Sequence, residues 1–60
     1  MEIRRYTYVD VYYTEADQVK ADKERAKLEK RGYHLEVRDE HTKEIPYCDQ
    51  YIKYYKFINK

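Results

Sequence analysis

The sequence has few of the residues that cross-link, interrupt or bend a chain. Its 60 residues include one cysteine, one glycine, one proline and no tryptophan. A lone Cys48 excludes a disulfide within the chain, and scarce glycine and proline are typical of an ordered domain. Apolar runs extend over only a few residues, which excludes a membrane-spanning helix. With a single thiol and no apolar leader, we expect a reducing, cytoplasmic setting.

Charged residues make up 42% of the chain, yet the two signs nearly cancel. Thirteen lysines and arginines against twelve aspartates and glutamates leave a formal net charge of +1. This balance argues against a protein that coats nucleic acid non-specifically, because such binding depends on an excess of positive charge.

Tyrosine is the residue that the chain has in excess, with nine tyrosines against one phenylalanine. Residues 1–60 make one small domain, and a chain of this length buries only about 60% of its unfolded surface. Such a domain cannot hide nine tyrosines, so several must meet solvent or a partner. Small domains also often depend on a second chain for stability.

The first predicted strand is the segment IRRYTYVDVYY, in which β-branched and aromatic residues alternate with period two. Ile3, Val9 and Val11 lie on one side, which we expect to pack beneath a helix. The other side carries one arginine and three tyrosines: Arg4, Tyr6, Tyr8 and Tyr12.

A helix over about residues 15–31 follows. Thr14 is the expected N-cap, with Asp17 approximating a capping box, and Gly32 stands where a left-handed C′ residue belongs. Acidic residues at the start and basic residues at the end suit the helix dipole.

The helix carries two apolar stripes on nearly opposite sides. Ala16, Val19 and Ala26 form one stripe, which we expect to cover the sheet, and Ala21 and Leu28 form the other. Two interpretations of the second stripe stay open. It consists either of scattered surface apolar residues, or of a contact with a second copy of the chain in a homodimer.

The segment YHLEVRD predicts a second strand, with Leu35 and Val37 on one side. The final segment, YIKYYKFI, fits both a strand and a helix. We favour a strand, because β-formers make a weak terminal helix and a third strand completes a stable sheet. The predicted fold is therefore α+β with the order β-α-β-β, a three-stranded antiparallel sheet with one helix on one face. The alternative is β-α-β-α, with residues 49–59 helical.

Candidate catalytic and metal-binding residues are few. His34, His41 and Cys48 are seven residues apart, whereas structural zinc sites use closely spaced pairs. Neither a glycine-rich phosphate loop nor a recognisable nucleophile–base pair accompanies them. We therefore expect no cofactor, no metal and no enzymatic activity.

Charge is divided unevenly along the chain. Residues 36–49 contain five acids and two bases, whereas residues 51–60 contain three lysines, no acid and four aromatic residues. Cations among aromatic rings are typical of surfaces that hold single-stranded nucleic acid. Tyrosine and arginine are equally typical of protein interfaces. The candidate binding residues are Arg4, Tyr6, Tyr8, Tyr12, Lys53, Tyr55 and Lys56.

In being short and rich in tyrosine, lysine and isoleucine, the chain resembles small accessory proteins of mobile genetic elements of Gram-positive bacteria. These elements are phages, plasmids and chromosomal cassettes. The resemblance implies a subunit that assists a larger replication enzyme, or an inhibitor of a host enzyme. We therefore expect a binding module that docks on a larger nucleic-acid-processing protein and shares in binding single-stranded DNA. The alternative is an inhibitor that contacts a host enzyme through its acidic residues 36–49.

Overall fold

A computed structural model describes residues 1–58 of the chain as a three-stranded antiparallel sheet with one helix across one face. In chain order the elements are β1 (Arg5–Tyr13), a 3₁₀ turn (Glu15–Asp17), α1 (Gln18–Lys30), β2 (His34–Asp39) and β3 (Gln50–Ile58). The predicted α+β fold with the order β-α-β-β is confirmed. Within residues 1–58, no helix combines the length and apolar character needed to cross a membrane.

The last strand of the chain lies in the middle of the sheet. The strand order is β1-β3-β2, and β3 runs antiparallel to both neighbours. β1 and β2 are therefore parallel to each other, joined across the sheet by α1, with β3 inserted between them as in a split β-α-β unit. The helical alternative for residues 49–59 is wrong for the described part of the chain, because the central position supplies β3 with two hydrogen-bonding partners.

The core lies between α1 and the sheet. Ile52 and Tyr54 of β3 are completely buried, and Tyr13 at the end of β1 is nearly so. Val9 and Val11 are partly buried against this cluster, so the predicted inward side of β1 is confirmed.

The stripe of α1 that meets the sheet is the opposite of the one predicted. Ala21 and Leu28 are 3% and 7% exposed and belong to the core, whereas Val19 is 68% exposed. The prediction that Ala21 and Leu28 face away from the sheet is therefore wrong, and with it both interpretations of that stripe, as scattered surface residues or as a self-association contact. Leu28 buries more apolar surface than the alanines and valine of the other stripe. The polar residues beside Leu28 also supply hydrogen bonds to a hydroxyl buried in the core.

The buried hydroxyl of Tyr54 takes its hydrogen-bond partners from α1. Arg25 Nε donates a hydrogen bond of 2.9 Å to this hydroxyl, which in turn donates one of 2.8 Å to Glu29 Oε2. Burial raises the pKa of the Tyr54 hydroxyl, so it remains a neutral donor. Because Arg25 and Glu29 lie on the Leu28 side of α1, this bridge and the apolar contact favour the same orientation of the helix.

The end of α1 follows the predicted geometry more closely than its start. Gly32 has a positive φ of 90°, and its N–H bonds Glu29 O while Tyr33 N–H bonds Leu28 O. This pair of bonds is a Schellman motif, which glycine accommodates without a side-chain clash. At the start, Thr14 precedes the 3₁₀ turn, but its side chain makes no capping hydrogen bond.

We expect the two stripes of α1 to respond differently to truncation. Leu28→Ala should lower the free energy of unfolding by about 2–4 kcal/mol, because it leaves a cavity in the core. Val19→Ala, the matched control, should change it by less than about 0.5 kcal/mol. Urea denaturation followed by circular dichroism measures both. Equal losses from the two variants would contradict the observed orientation of α1.

We expect Tyr54→Phe to destabilise the domain by about 1–2 kcal/mol, because the Arg25 donor and the Glu29 acceptor both lose their partner. Tyr47→Phe is the control, since Tyr47 is 82% exposed and its hydroxyl meets water. Urea denaturation followed by circular dichroism measures both variants. If Tyr54→Phe left the free energy of unfolding unchanged, the bridge would not be what holds the helix in place.

Candidate interaction surface

The sheet face turned away from α1, called the open face below, is lined almost entirely by aromatic side chains. Period-two alternation directs every second residue of β1 and β3 to this side. Four cross-strand pairs form it: Tyr6 with Phe57, Tyr8 with Tyr55, Asp10 with Lys53, and Tyr12 with Tyr51. Six of these eight residues are aromatic, so the single helix leaves a large apolar surface uncovered.

At one end of the open face the rings form a cluster around Tyr6. Its ring centroid lies 5.6 Å from that of Phe57 and 5.9 Å from that of Tyr55, both edge-on, and 6.3 Å from that of Tyr8. His34 of β2 extends the cluster, 5.6 Å from Tyr55. Tyr8 and Phe57 remain 49% exposed. The rings thus pack on one another, while about half of the surface of Tyr8 and of Phe57 stays available for contact.

The opposite end of the open face is tied to the loop between β2 and β3. Tyr12 and Tyr51 stack with centroids 4.7 Å apart. The Tyr12 hydroxyl donates to Glu44 of that loop, and the Tyr51 hydroxyl donates to Asp10 at 2.7 Å. The bond to Glu44 raises the pKa of Tyr12 to about 12, and burial together with Asp10 raises the pKa of Tyr51. Both hydroxyls are therefore neutral donors: Tyr12 holds the loop through Glu44, and Tyr51 links β3 to β1 through Asp10.

The cations of the open face are ion-paired. Lys53 Nζ lies 3.8 Å from Glu36 Oε2 and 4.6 Å from the ring centroid of Tyr8. Arg4, just before β1, forms an ion pair with Glu2. Hydrogen bonds to Glu2 and Tyr6 raise the pKa of Arg4. Lys53 and Arg4 therefore add little net positive charge to this surface.

Lys56 does not share the open face with Lys53 and Tyr55. It lies opposite Thr7 on the helix side of the sheet, with its ammonium 5.7 Å from the ring centroid of Tyr33. The prediction that grouped Lys56 with the other binding residues is wrong in this respect, because adjacent residues of a strand point to opposite faces. Lys60, the third lysine of residues 51–60, lies outside the described residues.

The remaining predicted residues (Arg4, Tyr6, Tyr8, Tyr12, Lys53 and Tyr55) are brought to or beside the open face, but sequence reasoning missed several of its members. Tyr51 and Phe57 share the alternation of Lys53 and Tyr55, and that signal alone would have identified them. Glu36 had no such signal. It reaches Lys53 because β3 lies beside β2 and because the register shifts between Leu35 and Val37.

The three candidate metal ligands do not form a site. Across residues 1–58, no group of three or more histidine, cysteine, aspartate or glutamate side chains is arranged to hold a metal ion. His34 lies beside Tyr55, whereas Cys48 lies in the loop before β3, where its N–H bonds Ile45 O.

Comparison of the chain with protein-family models, curated proteins and solved structures found no match. The geometry of the open face therefore provides the basis for assigning a function.

We expect Tyr12 to ionise at a pH of about 12, against an ordinary pKa of about 10. Because the folded state holds the proton more tightly, the stability that this contact contributes is complete below pH 10. It is lost as the pH rises through about 12. Glu44→Gln should move the Tyr12 pKa back toward 10, and Glu40→Gln is the control. An NMR titration of the ring carbon bearing the hydroxyl measures this, and an unchanged pKa in Glu44→Gln would contradict the contact.

Proposed function

We propose that this chain is a non-catalytic binding module that docks on a larger protein through its open face. The observation that carries the proposal is the partly exposed aromatic cluster of Tyr6, Tyr8 and Phe57 on the open face of the sheet. Tyrosine and phenylalanine are enriched in protein interfaces, and preorganised rings lose little conformational entropy on binding. A partner that covers this cluster would complete the second layer that the sheet lacks.

The exposed area of the domain supports the proposal. Its accessible surface is 5031 Å², about 800 Å² more than expected for a folded chain of 7.5 kDa. Its radius of gyration is 13.0 Å, against about 10 Å for a compact domain of this length. The excess is roughly the area that one partner contributes to a standard protein–protein interface.

The charges of the open face favour a protein partner over a nucleic acid. A single-stranded nucleic acid needs free cations beside the stacking rings to contact its phosphates. Here Lys53 is paired with Glu36, and Arg4 with Glu2. Asp10 adds a carboxylate at the centre of the face. A protein surface, which requires no excess of cations, fits this arrangement better.

The compositional resemblance to accessory proteins of mobile genetic elements supports a more specific partner. On this basis we infer a cytoplasmic accessory subunit that docks on a nucleic-acid-processing enzyme of replication. The enzyme would then supply the phosphate-binding cations, and the open face would supply a docking surface.

The alternative, an inhibitor that binds through acidic residues 36–49, gains less support. Three of the five acids in this stretch are engaged within the chain. Glu36 pairs with Lys53, Asp39 accepts a hydrogen bond from the His41 N–H, and Glu44 accepts one from Tyr12. The stretch therefore presents only part of its charge to a partner.

If the open face binds a protein, Tyr8→Ala and Phe57→Ala should each weaken binding by about 1–2 kcal/mol, roughly tenfold. Tyr47→Ala is the matched control, because Tyr47 is an exposed tyrosine outside this face. Affinity capture from the native host identifies proteins that the wild type retains and the open-face variants lose. Calorimetry with the purified partner then measures the loss. Equal retention by all variants would contradict the proposal.

Single-stranded DNA provides the competing outcome. We expect no binding of a fluorescent oligonucleotide in anisotropy measurements at physiological salt. Tight binding that weakens steeply with salt and is lost in Lys53→Ala would instead assign the open face to nucleic acid.

A further inference from the structure

The two edges of the sheet differ in their capacity to pair with another strand. β2 has only six residues, and its register with β3 shifts between Leu35 and Val37. It also carries charged residues such as Glu36 and Arg38. Short length, irregular register and charge all discourage further strand pairing. The β2 edge is therefore protected.

The β1 edge is longer and more regular, although it also carries charge at Arg5 and Asp10. Its nine residues pair with β3 in continuous register, and the strand contains neither proline nor glycine. Because β1 is the end strand of the sheet, half of its backbone N–H and C=O groups point away from β3. Such an edge is a template for an added strand.

We propose that β1 pairs antiparallel with β1 of a second copy of this chain, about a two-fold axis at Thr7, to form a six-stranded sheet. In this register Arg4 lies opposite Asp10 of the second copy, and the same pair recurs across the axis. Tyr51 uses Oδ1 of Asp10. Oδ2 then accepts from Arg4, whose guanidinium has enough donors to keep Glu2 as well.

The same register places an exposed apolar residue against an apolar groove. Ile3 is 62% exposed in the single chain. This mainly apolar groove beside the β1 edge is lined by Val11 and Tyr13 of β1 and by Ala21 of α1, and also by Tyr12 and the charged Asp17, Lys20 and Glu24. With the axis at Thr7, Ile3 lies opposite Val11 of the second copy and on the helix side, where the groove opens.

Neighbouring registers lack this complementarity. An axis at Tyr6 would place Asp10 opposite Glu2, which brings two acids together at each end of the pairing. An axis at Tyr8 would place Asp10 opposite Tyr6 and leave neither charge paired. Only the register centred on Thr7 pairs opposite charges, and it does so twice by symmetry.

A charge exchange tests both the dimer and its register. Sedimentation equilibrium of the wild type should show a reversible dimer between low and high micromolar concentrations. Arg4→Glu and Asp10→Arg should each weaken it by about tenfold or more, because each variant places like charges opposite each other twice. An equimolar mixture of the two variants should recover dimerisation, since the two introduced side chains, one acidic and one basic, face each other at one position and the native Arg4 and Asp10 face each other at the other. Lys23→Glu, with the same charge change on the exposed side of α1, is the control.

A second variant covers the case in which Asp10→Arg disturbs its contact with Tyr51. Ile3→Ser should weaken the dimer by about tenfold or more without changing the circular dichroism of the monomer, because Ile3 lies outside its own core. A wild type that is monomeric throughout would overturn the proposal and leave the edge to a strand of another protein. So would single variants that dimerise like the wild type, or a mixture without recovery. These measurements need no partner protein, so their outcome is independent of the proposed function.

Discussion

The buried hydroxyl of Tyr54 is the constraint on which the arrangement of this small domain depends. It lies in the central strand beneath α1, where an unsatisfied polar group would cost about 1–3 kcal/mol. Arg25 and Glu29 satisfy it from α1. Leu28 lies on the same side of the helix, so the polar and apolar requirements agree. Val19 is consequently left in solvent, and the helix covers one face of the sheet only.

A sheet with one helix must protect its second face by other means, and this explains the excess of tyrosine. A tyrosine ring covers the backbone and its neighbours, while the hydroxyl remains compatible with water. At the loop end, Tyr12 donates to Glu44 and attaches the loop to the sheet, and Tyr51 donates to Asp10 of the neighbouring strand. At the other end, Tyr6 and Tyr8 stay partly exposed within a ring cluster. The same residue type thus serves as a structural cover and supplies exposed rings to the proposed docking surface.

The proposed edge pairing and the proposed docking surface are compatible, because one uses the backbone edge of β1 and the other its tyrosine side chains. Pairing about Thr7 would join the two open faces into a single aromatic platform on one side of a six-stranded sheet. Arg4 and Asp10 would then lie at the junction. A partner protein would meet two identical clusters, and the second contact would benefit from the high effective concentration created by the first.

Local order was readable from the sequence, because it depends on residues a few positions apart. Period-two alternation identified the open face of β1, and Gly32 marked the end of the helix through its positive φ. Period-two alternation also predicts that Lys56 lies on the helix side of the sheet, although composition had grouped it with Lys53. Tertiary structure alone decided that β3 lies between β1 and β2 and that Leu28 packs inward. It also decided that Glu36 neutralises Lys53. Each of these depends on contacts between segments that are distant in the chain. A local pattern of residues does not reveal the energies of such contacts.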